Sequence, residues 1–267
     1  MNGLSDPRES WNSGEAYEQY VGRWSGAVAR EFVAWLAPPA GSRWLDVACG
    51  TGALGRAILE IASPADVRGI DLSADYLAHA RRRTNDRRIA FDVGDARALP
   101  YATVSRDVVV SGLALNFIPD AGAALAEMTR VTAPGGTVAV YVWDYAGGAQ
   151  MIRLFWDAAV SLDPAAAALD EGPRFPLCDP GALAAAFDAA GLREVETRPI
   201  DVPTHFRDFD DYWSPFLGGQ GPAPGYVASL PEPARHALRE EVRRRLPTHA
   251  DGSIRLTGRA WAARGRR

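Results

Sequence analysis

Apolar side chains at Ala16, Tyr20, Val21, Trp24, Val28, Phe32, Trp35 and Leu36 recur at helical spacing, and Pro38-Pro39 ends the run, which predicts a helix over 14–37. Beyond it the apolar positions close up into short blocks. They predict a strand over about 43–48, a helix over 52–62 and a second strand over 66–71. Ser73 is placed to cap a helix over 74–84, whose last turn carries Arg81-Arg82-Arg83, positive charge where the helix dipole favours it. A third strand is predicted at 88–93. Asp107-Val108-Val109-Val110-Ser111 is the apolar run of a buried strand, a helix follows over 120–132, and Pro134-Gly135-Gly136 turns into a fifth strand from Thr137 to Trp143. Strand and helix alternate throughout, which predicts a parallel sheet with helices on both faces.

After Trp143 the rhythm breaks. A helix is predicted over 147–163, an irregular stretch over 164–180, and a helix from Pro180 to Ala190 that ends at Gly191. Residues 192–202 read as a strand, 208–217 as a short aromatic helix, and 218–225, with four glycines and two prolines, as a loop. An Arg- and Glu-rich amphipathic helix over 231–246 and a last strand over 253–263 complete the pattern.

The chain has 267 residues, 47% of them hydrophobic, enough for one large domain or one domain with insertions. Its net charge of −4 gives no electrostatic support for a nucleic-acid partner. All 29 residues counted as Lys or Arg are Arg, so every lysine mechanism is excluded, from Schiff bases to a phosphate-loop lysine. Cys49 and Cys178 are too few and too far apart for a disulfide framework or a zinc pattern, and read as small buried apolar groups. The N-terminal residues lack a basic and apolar leader, and no apolar run reaches a membrane-spanning length. A cytoplasmic protein without a membrane partner is the expectation.

The chemistry concentrates in Gly50-Thr51-Gly52-Ala53-Leu54-Gly55, which follows the first strand, opens a helix and is answered by Asp71 at the tip of the second strand. Glycines let a ligand approach the backbone, a helix N-terminus favours negative charge, and an acid at that distance suits a ribose. Two acids then favour a cationic ligand over a dinucleotide. Asp46, just before the turn, repels a pyrophosphate and attracts an ammonium or sulfonium, while Gly94-Asp95-Ala96 places another acid beyond the third strand, in reach of an adenine amino group.

On these residues the chain resembles a class I S-adenosylmethionine-dependent methyltransferase of the small-molecule kind. The resemblance rests on Asp46-Val47-Ala48-Cys49-Gly50-Thr51-Gly52, Gly69-Ile70-Asp71-Leu72-Ser73, Gly94-Asp95-Ala96-Arg97-Ala98-Leu99-Pro100, Leu115-Asn116-Phe117-Ile118-Pro119-Asp120 and Arg130-Val131-Thr132-Ala133-Pro134-Gly135-Gly136. It implies an α/β, Rossmann-like, seven-stranded and mostly parallel sheet with its last strand antiparallel. In that scheme the helix 14–37 is an N-terminal cap, 40–143 the cofactor-binding core, and 144–180 and 203–250 helical lid insertions of a single domain spanning 1–267. It implies S-adenosyl-L-methionine as cofactor and S-adenosyl-L-homocysteine as product. Gly50 and Gly52 then pass under the methionine part, with Ala48 beside it. Asp46 holds the ammonium end, directly or through water, and Arg23 pairs with the cofactor carboxylate. Asp71 binds the ribose, Leu72 lies against the adenine, Asp95 and Ala96 read its edge, and Ser111 sits beside the sulfonium. The family commonly has Gly where Ala48 stands, and often His near Asn116.

The acceptor is expected beyond the carboxyl ends of the strands. The segments there are rich in rings, which predicts a pocket for a small, planar or apolar acceptor, with Tyr20, Trp24, Trp143, Tyr145 and Trp213 as its candidate contacts. Methyl transfer is an in-line displacement, so orientation and water exclusion matter more than acid–base groups. His205, Tyr17 and Asp144 are candidates to accept a proton, and Asn116 to orient the acceptor; O, N and C all remain open as the acceptor atom. No His, Asp or Glu cluster has metal spacing, and no Asn-Pro-Pro-aromatic motif marks a base amine as substrate. The rival readings are an NAD-dependent oxidoreductase and a protein of this fold that binds the cofactor without methyl transfer, as a module or as a cyclase. Nothing in the sequence addresses the oligomeric state.

Overall fold

The computed structural model describes residues 22–218 and 221–267. The elements run α1 (Arg23–Leu36), β1 (Arg43–Val47), α2 (Ala53–Ile61), β2 (Asp66–Asp71), α3 (Ala74–Arg83), β3 (Ile89–Val93), β4 (Arg106–Gly112), α4 (Ala121–Val131), β5 (Thr132–Trp143), α5 (Gln150–Leu162), α6 (Glu171–Arg174), α7 (Pro180–Ala189), β6 (Arg193–Phe206), α8 (Phe209–Trp213), α9 (Pro222–Ser229), α10 (Glu232–Arg245) and β7 (Ile254–Arg266). The seven strands form one sheet in the order β3-β2-β1-β4-β5-β7-β6. β1 pairs parallel with β2 and β4, β2 with β3, and β4 with β5. β7 runs antiparallel, as the sequence led us to expect: Gly135 donates to the Arg267 carbonyl at one end, and Asp144 to that of Arg259 at the other.

Two compact units divide the chain. The larger holds Ser25–Val142, Leu177–Ile200 and Ala260–Arg267; the smaller holds Trp143–Pro176, Asp201–Arg259 and the described residues up to Trp24.

In the larger unit, register puts Asp46 level with Gly69 on β2 and Val110 on β4, and Gly69 level with Phe91 on β3. Helices α1, α2 and α3 cover this face. Phe32 of α1 meets Tyr141 at 4.6 Å between ring centroids, Gly55 of α2 lies over Asp46 and Ile89, and Ala80 of α3 lies over Gly52. Alternation along β7 separates the second face: Arg264 reaches the Trp35 carbonyl of α1, while Gly265 lies under Phe187 of α7, which packs with α4. The strand interiors are as apolar as a sheet covered on both sides requires, with Trp44, Leu45, Val109, Val110, Val138 and Val140 at or below 3% exposure.

The smaller unit is held by rings. Phe155 stacks on Phe216 at 4.6 Å and stands edge-on to Trp156, and Tyr212 bridges Phe206 and Phe216. The Tyr212 hydroxyl donates to the Met151 carbonyl, so its one polar atom is satisfied inside the stack. α10 packs on α5, and Arg239 and Arg243 lie over the Phe209 ring.

Among the boundaries that differ from expectation, three have a visible cause. β5 starts at Thr132 instead of 137, because Arg267 pairs with Gly135 and Gly136 and its guanidinium holds the carbonyls of Arg130 and Thr132. β6 continues to Phe206 instead of 202, with Ile200, Val202, Thr204 and Phe206 buried in strict alternation. The expected loop 218–225 contains the start of a helix, since Gly221 supplies a φ of 85° and Pro222 the pre-set first helical position of α9.

Candidate functional site

The site lies in the larger unit, where the first two strands end. Three residues in five adopt left-handed backbone there: Ala48 at φ 55°, Gly50 at 52° and Gly52 at 79°. The chain thereby reverses within a few residues and starts α2 with amides directed outward. The two glycines serve different purposes. A Cβ on Gly52 would stand 3.1 Å from the Ala80 methyl and near Phe91, so this glycine lets α3 close in. A Cβ on Gly50 would meet nothing within 4 Å, so the open approach to the backbone is at Gly50.

Asp71 ties the arrangement together. Its Oδ2 accepts from the Gly50 amide at 2.9 Å, and its Oδ1 accepts from the Ser73 amide at 2.8 Å. Burial pushes its carboxyl above the ordinary range, and the Ser73 and Gly50 amides pull it back. Each oxygen retains a lone pair for further donors. Next to it Leu72 is 68% exposed, an apolar side chain left standing at the tip of β2, and Val93 at the tip of β3 is 57% exposed.

Asp46 is the outlier. It is 1% exposed and both carboxyl oxygens lack hydrogen-bond partners. Burial holds its carboxyl well above the usual carboxylate range, and the charge of Asp71 adds to the effect. The Gly55 amide and the Arg56 guanidinium offset only part of it. Cys49 is likewise buried, its thiol pushed up by desolvation and by both acids.

At the end of β4, Ser111 is fully buried with its Oγ unpartnered, and Leu113 takes a left-handed φ of 58°. In the short 3₁₀ turn that follows, both polar atoms of the Asn116 carboxamide are enclosed and unpartnered. Buried polar groups are as a rule hydrogen-bonded, so such gaps gathered at the ends of β1 and β4 point to a ligand.

The loop after β3 is stiffened differently. Asp95 is grasped by its neighbour Arg97, through the amide and the guanidinium, at 2.7 Å at the closest, which draws its carboxyl below the ordinary range. Ala96 is buried beside it. Arg130 donates to the carbonyls of Leu99 and Tyr101, and Glu127 accepts from the Leu99 amide, fastening this loop to α4. The Glu127–Arg130 spacing of three is visible in the sequence, but its use as a loop anchor is not.

The remaining candidates lie in the smaller unit. Arg23 donates to Asp211 at 3.1 Å and to the His205 carbonyl at 3.3 Å, and its guanidinium lies against the Trp24 and Phe206 rings. Burial works against ionisation of Asp211, but Arg23 and the Arg207 amide outweigh it and keep the carboxyl low. His205 is exposed on β6, in the part of the strand that continues past the expected end at 202. Asp144 spends both oxygens on the Gly147 and Gly148 amides, at 3.1 and 2.8 Å, so it closes the turn after β5. Trp24 and Trp143 line a cavity of about 20 Å³ with Met151, Ile152 and Thr204, room for one water. Tyr145 packs on Phe175 and Trp213 on Phe216, so these rings serve first as the core of their own unit. Tyr17 and Tyr20 lie outside the described residues. Sequence reading missed Glu171, 1% exposed and bonded to the Trp156 indole N–H; burial raises its carboxyl to about 8. Among the described residues no three His, Cys, Asp or Glu side chains group to hold a metal, and no helix is long and apolar enough to cross a membrane.

Residues 45–140 match the family model described as a methyltransferase domain, a span wholly inside the larger unit. The chain is similar to the ubiquinone/menaquinone biosynthesis C-methyltransferase of Dinoroseobacter shibae, 40% identical over 110 residues, which are 40% of this chain and 44% of that one. It thus spans about half or less of the length of the curated relatives it matches. Among solved structures it is similar in fold to the Haemonchus contortus phosphoethanolamine N-methyltransferase 2 in complex with S-adenosyl-L-methionine (TM-score 0.59, 18% identity, 99% of this chain and 60% of that one). It is also similar in fold to the cyclase SpnF (TM-score 0.53, 22% identity, 98% and 84%).

Proposed function

We propose, for a chain that carries a class I S-adenosylmethionine-dependent methyltransferase domain, that it transfers the methyl group of that cofactor to a small ring-type acceptor. One observation carries the proposal: the carboxyl ends of β1 and β4 leave Asp46, Ser111 and Asn116 with buried, unpartnered polar atoms, beside an open approach at Gly50. A buried acid without a partner is costly, and a cation removes the cost. A dinucleotide pyrophosphate at the same turn brings no cation to the buried, unpartnered Asp46 carboxyl, which argues against an oxidoreductase.

The residues fit the cofactor group by group. Asp46 faces its ammonium end, and the free lone pairs of Asp71 accept from its ribose hydroxyls. Leu72 and Val93 offer apolar surface to the adenine. Asp95 and Ala96 read the adenine edge, with Arg97 keeping the acid in place. Ser111 and Asn116 supply hydrogen bonds at the reacting end. Ala48 stands beside the methionine part; Gly52 contributes by fixing the start of α2. Arg23 is kept as the candidate for the cofactor carboxylate. When bound, S-adenosylmethionine supplies a methyl carbon activated by its sulfonium. The protein's share is to orient the acceptor and exclude water.

The relatives named for quinone methylation support a quinone-type acceptor, and the name of one of them, a C-methyltransferase, favours carbon as the acceptor atom. The candidate acceptor contacts are Tyr20, Trp24, Trp143, Tyr145 and Trp213. Where the acceptor must lose a proton, His205 is the candidate base, Tyr17 the alternative, and Asp144 the weakest, since the turn uses both its oxygens. The test is incubation with isotopically labelled cofactor and a panel of quinols, phenols and amines, followed by mass spectrometry. Label in a ring acceptor is expected. Tight cofactor binding with no labelled product across the panel favours the reading in which the cofactor is bound and its methyl retained. Binding of NADH instead overturns the proposal.

A further inference from the structure

Asp46 and Asp71 cannot both be anions in the empty turn without compensation, and only Asp71 has direct hydrogen bonds to supply it. Asp71 accepts two backbone amides. Asp46 accepts none that closes a hydrogen bond, although Gly55 of α2 lies over it. Its register partners, Gly69 and Val110, bring no charge from β2 or β4. From the turn it faces Cys49, a buried thiol; from the end of β2, Asp71; from α2, Arg56, whose guanidinium is engaged by the Thr51 carbonyl at 2.8 Å. An enclosed carboxyl with one acidic neighbour and one diverted cation is stable as the neutral acid.

We propose that Asp46 keeps a proton while the glycine turn is empty and releases it to solvent when the ammonium of the cofactor arrives. The inference rests on the reading of this turn as the S-adenosylmethionine site and goes beyond it. The bound state then holds an ammonium–carboxylate pair, and the empty state a neutral acid, so neither leaves an isolated buried charge. The O–H bond of the acid breaks, the electron pair stays on the carboxylate, and the proton passes to buffer. Recognition of the amino-acid end becomes a proton exchange, and cofactor affinity rises with pH until Asp46 ionises unaided.

The experiment is calorimetric titration of the whole protein at pH 6 in buffers of different ionisation enthalpy. S-adenosylhomocysteine carries the ammonium; 5′-methylthioadenosine shares its nucleoside but lacks the amino-acid end. Release of about one proton per S-adenosylhomocysteine is expected, none with methylthioadenosine, and none from Asp46→Asn; affinity should rise by up to about tenfold per pH unit in the native protein only. Binding of S-adenosylhomocysteine without proton release, or equal release from Asp46→Asn, overturns the proposal. Because Asp46→Asn can fail to bind, infrared spectra of the native protein labelled at aspartate give a second reading. The empty protein is expected to show a protonated-carboxyl band that vanishes with ligand, and its absence at pH 6 also overturns the proposal. Failure of S-adenosylhomocysteine to bind sinks the methyltransferase reading instead, and the infrared spectrum of the empty protein still decides the state of Asp46.

Discussion

The Asp71 carboxylate accepts the Gly50 amide at 2.9 Å, so a charge-assisted hydrogen bond joins the backbone one from the Cys49 amide to the Ile70 carbonyl in fastening the end of β2 to the turn that follows β1. Asp71 thus has a structural task in addition to any ligand contact. Asp71→Ala is expected to weaken cofactor binding by about 1–3 kcal/mol and to lower stability by about 1–2 kcal/mol, because amides that it satisfied are stranded. Binding calorimetry beside urea unfolding separates the two losses. Unchanged affinity removes Asp71 from the ribose.

Gly50 and Gly52 should respond oppositely to bulk. Gly52→Val forces a side chain against Ala80 and Phe91 in a left-handed conformation, and a stability loss of about 2–4 kcal/mol is expected from strain and overpacking. Gly50→Val meets open space, so the strain alone costs about 1–2 kcal/mol and the larger effect falls on cofactor affinity. Thermal melts with and without S-adenosylhomocysteine read both effects. Equal melting temperatures for the two variants contradict this assignment.

Ala48 carries a left-handed penalty at φ 55°. Ala48→Gly should therefore stabilise the protein, by about 1 kcal/mol at most once the added freedom of the unfolded chain is subtracted. A lower melting temperature in the variant argues that the Ala48 methyl is held by packing that outweighs its strain.

Glu171 links the aromatic unit to pH. Its folded carboxyl titrates near 8, raised above its usual 4.5 chiefly by burial. The folded state thus binds the proton more tightly than the unfolded one. The stability this contributes is complete below the ordinary carboxylate range, declines as pH climbs between 4.5 and 8, and is gone above that. The slope is at most about 1.4 kcal/mol per pH unit. Glu171→Gln keeps an acceptor for the Trp156 indole and should flatten that part of the profile. Denaturant midpoints from pH 5 to pH 9 test it, and identical profiles for both proteins count against the assignment.

Much of this was legible before any coordinates. The short apolar runs and their glycine turn announce the parallel sheet because a strand buried on two faces has little room for polar side chains. Asp46, Asp71 and Gly50 are legible because chemistry and spacing coincide there. The fate of individual polar groups was not. That Arg97 would claim Asp95, or that Gly147 and Gly148 would claim Asp144, depends on local turns that no periodicity encodes. The helix at 222 was hidden because glycine and proline mark both a loop and the start of a helix. The rings of the smaller unit were legible as a group and ambiguous one by one, since a core and a ligand pocket draw on the same residues.

The place of β7 between β5 and β6 has a consequence for biosynthesis. β5 is largely buried along its length, yet the strand that protects its outer edge is translated more than a hundred residues later. Through that interval the nascent chain displays a long, sticky, half-paired ribbon. Expression yield should therefore hinge less on the glycine turn than on how fast the C-terminal strand arrives, and chaperone dependence should be concentrated in that window.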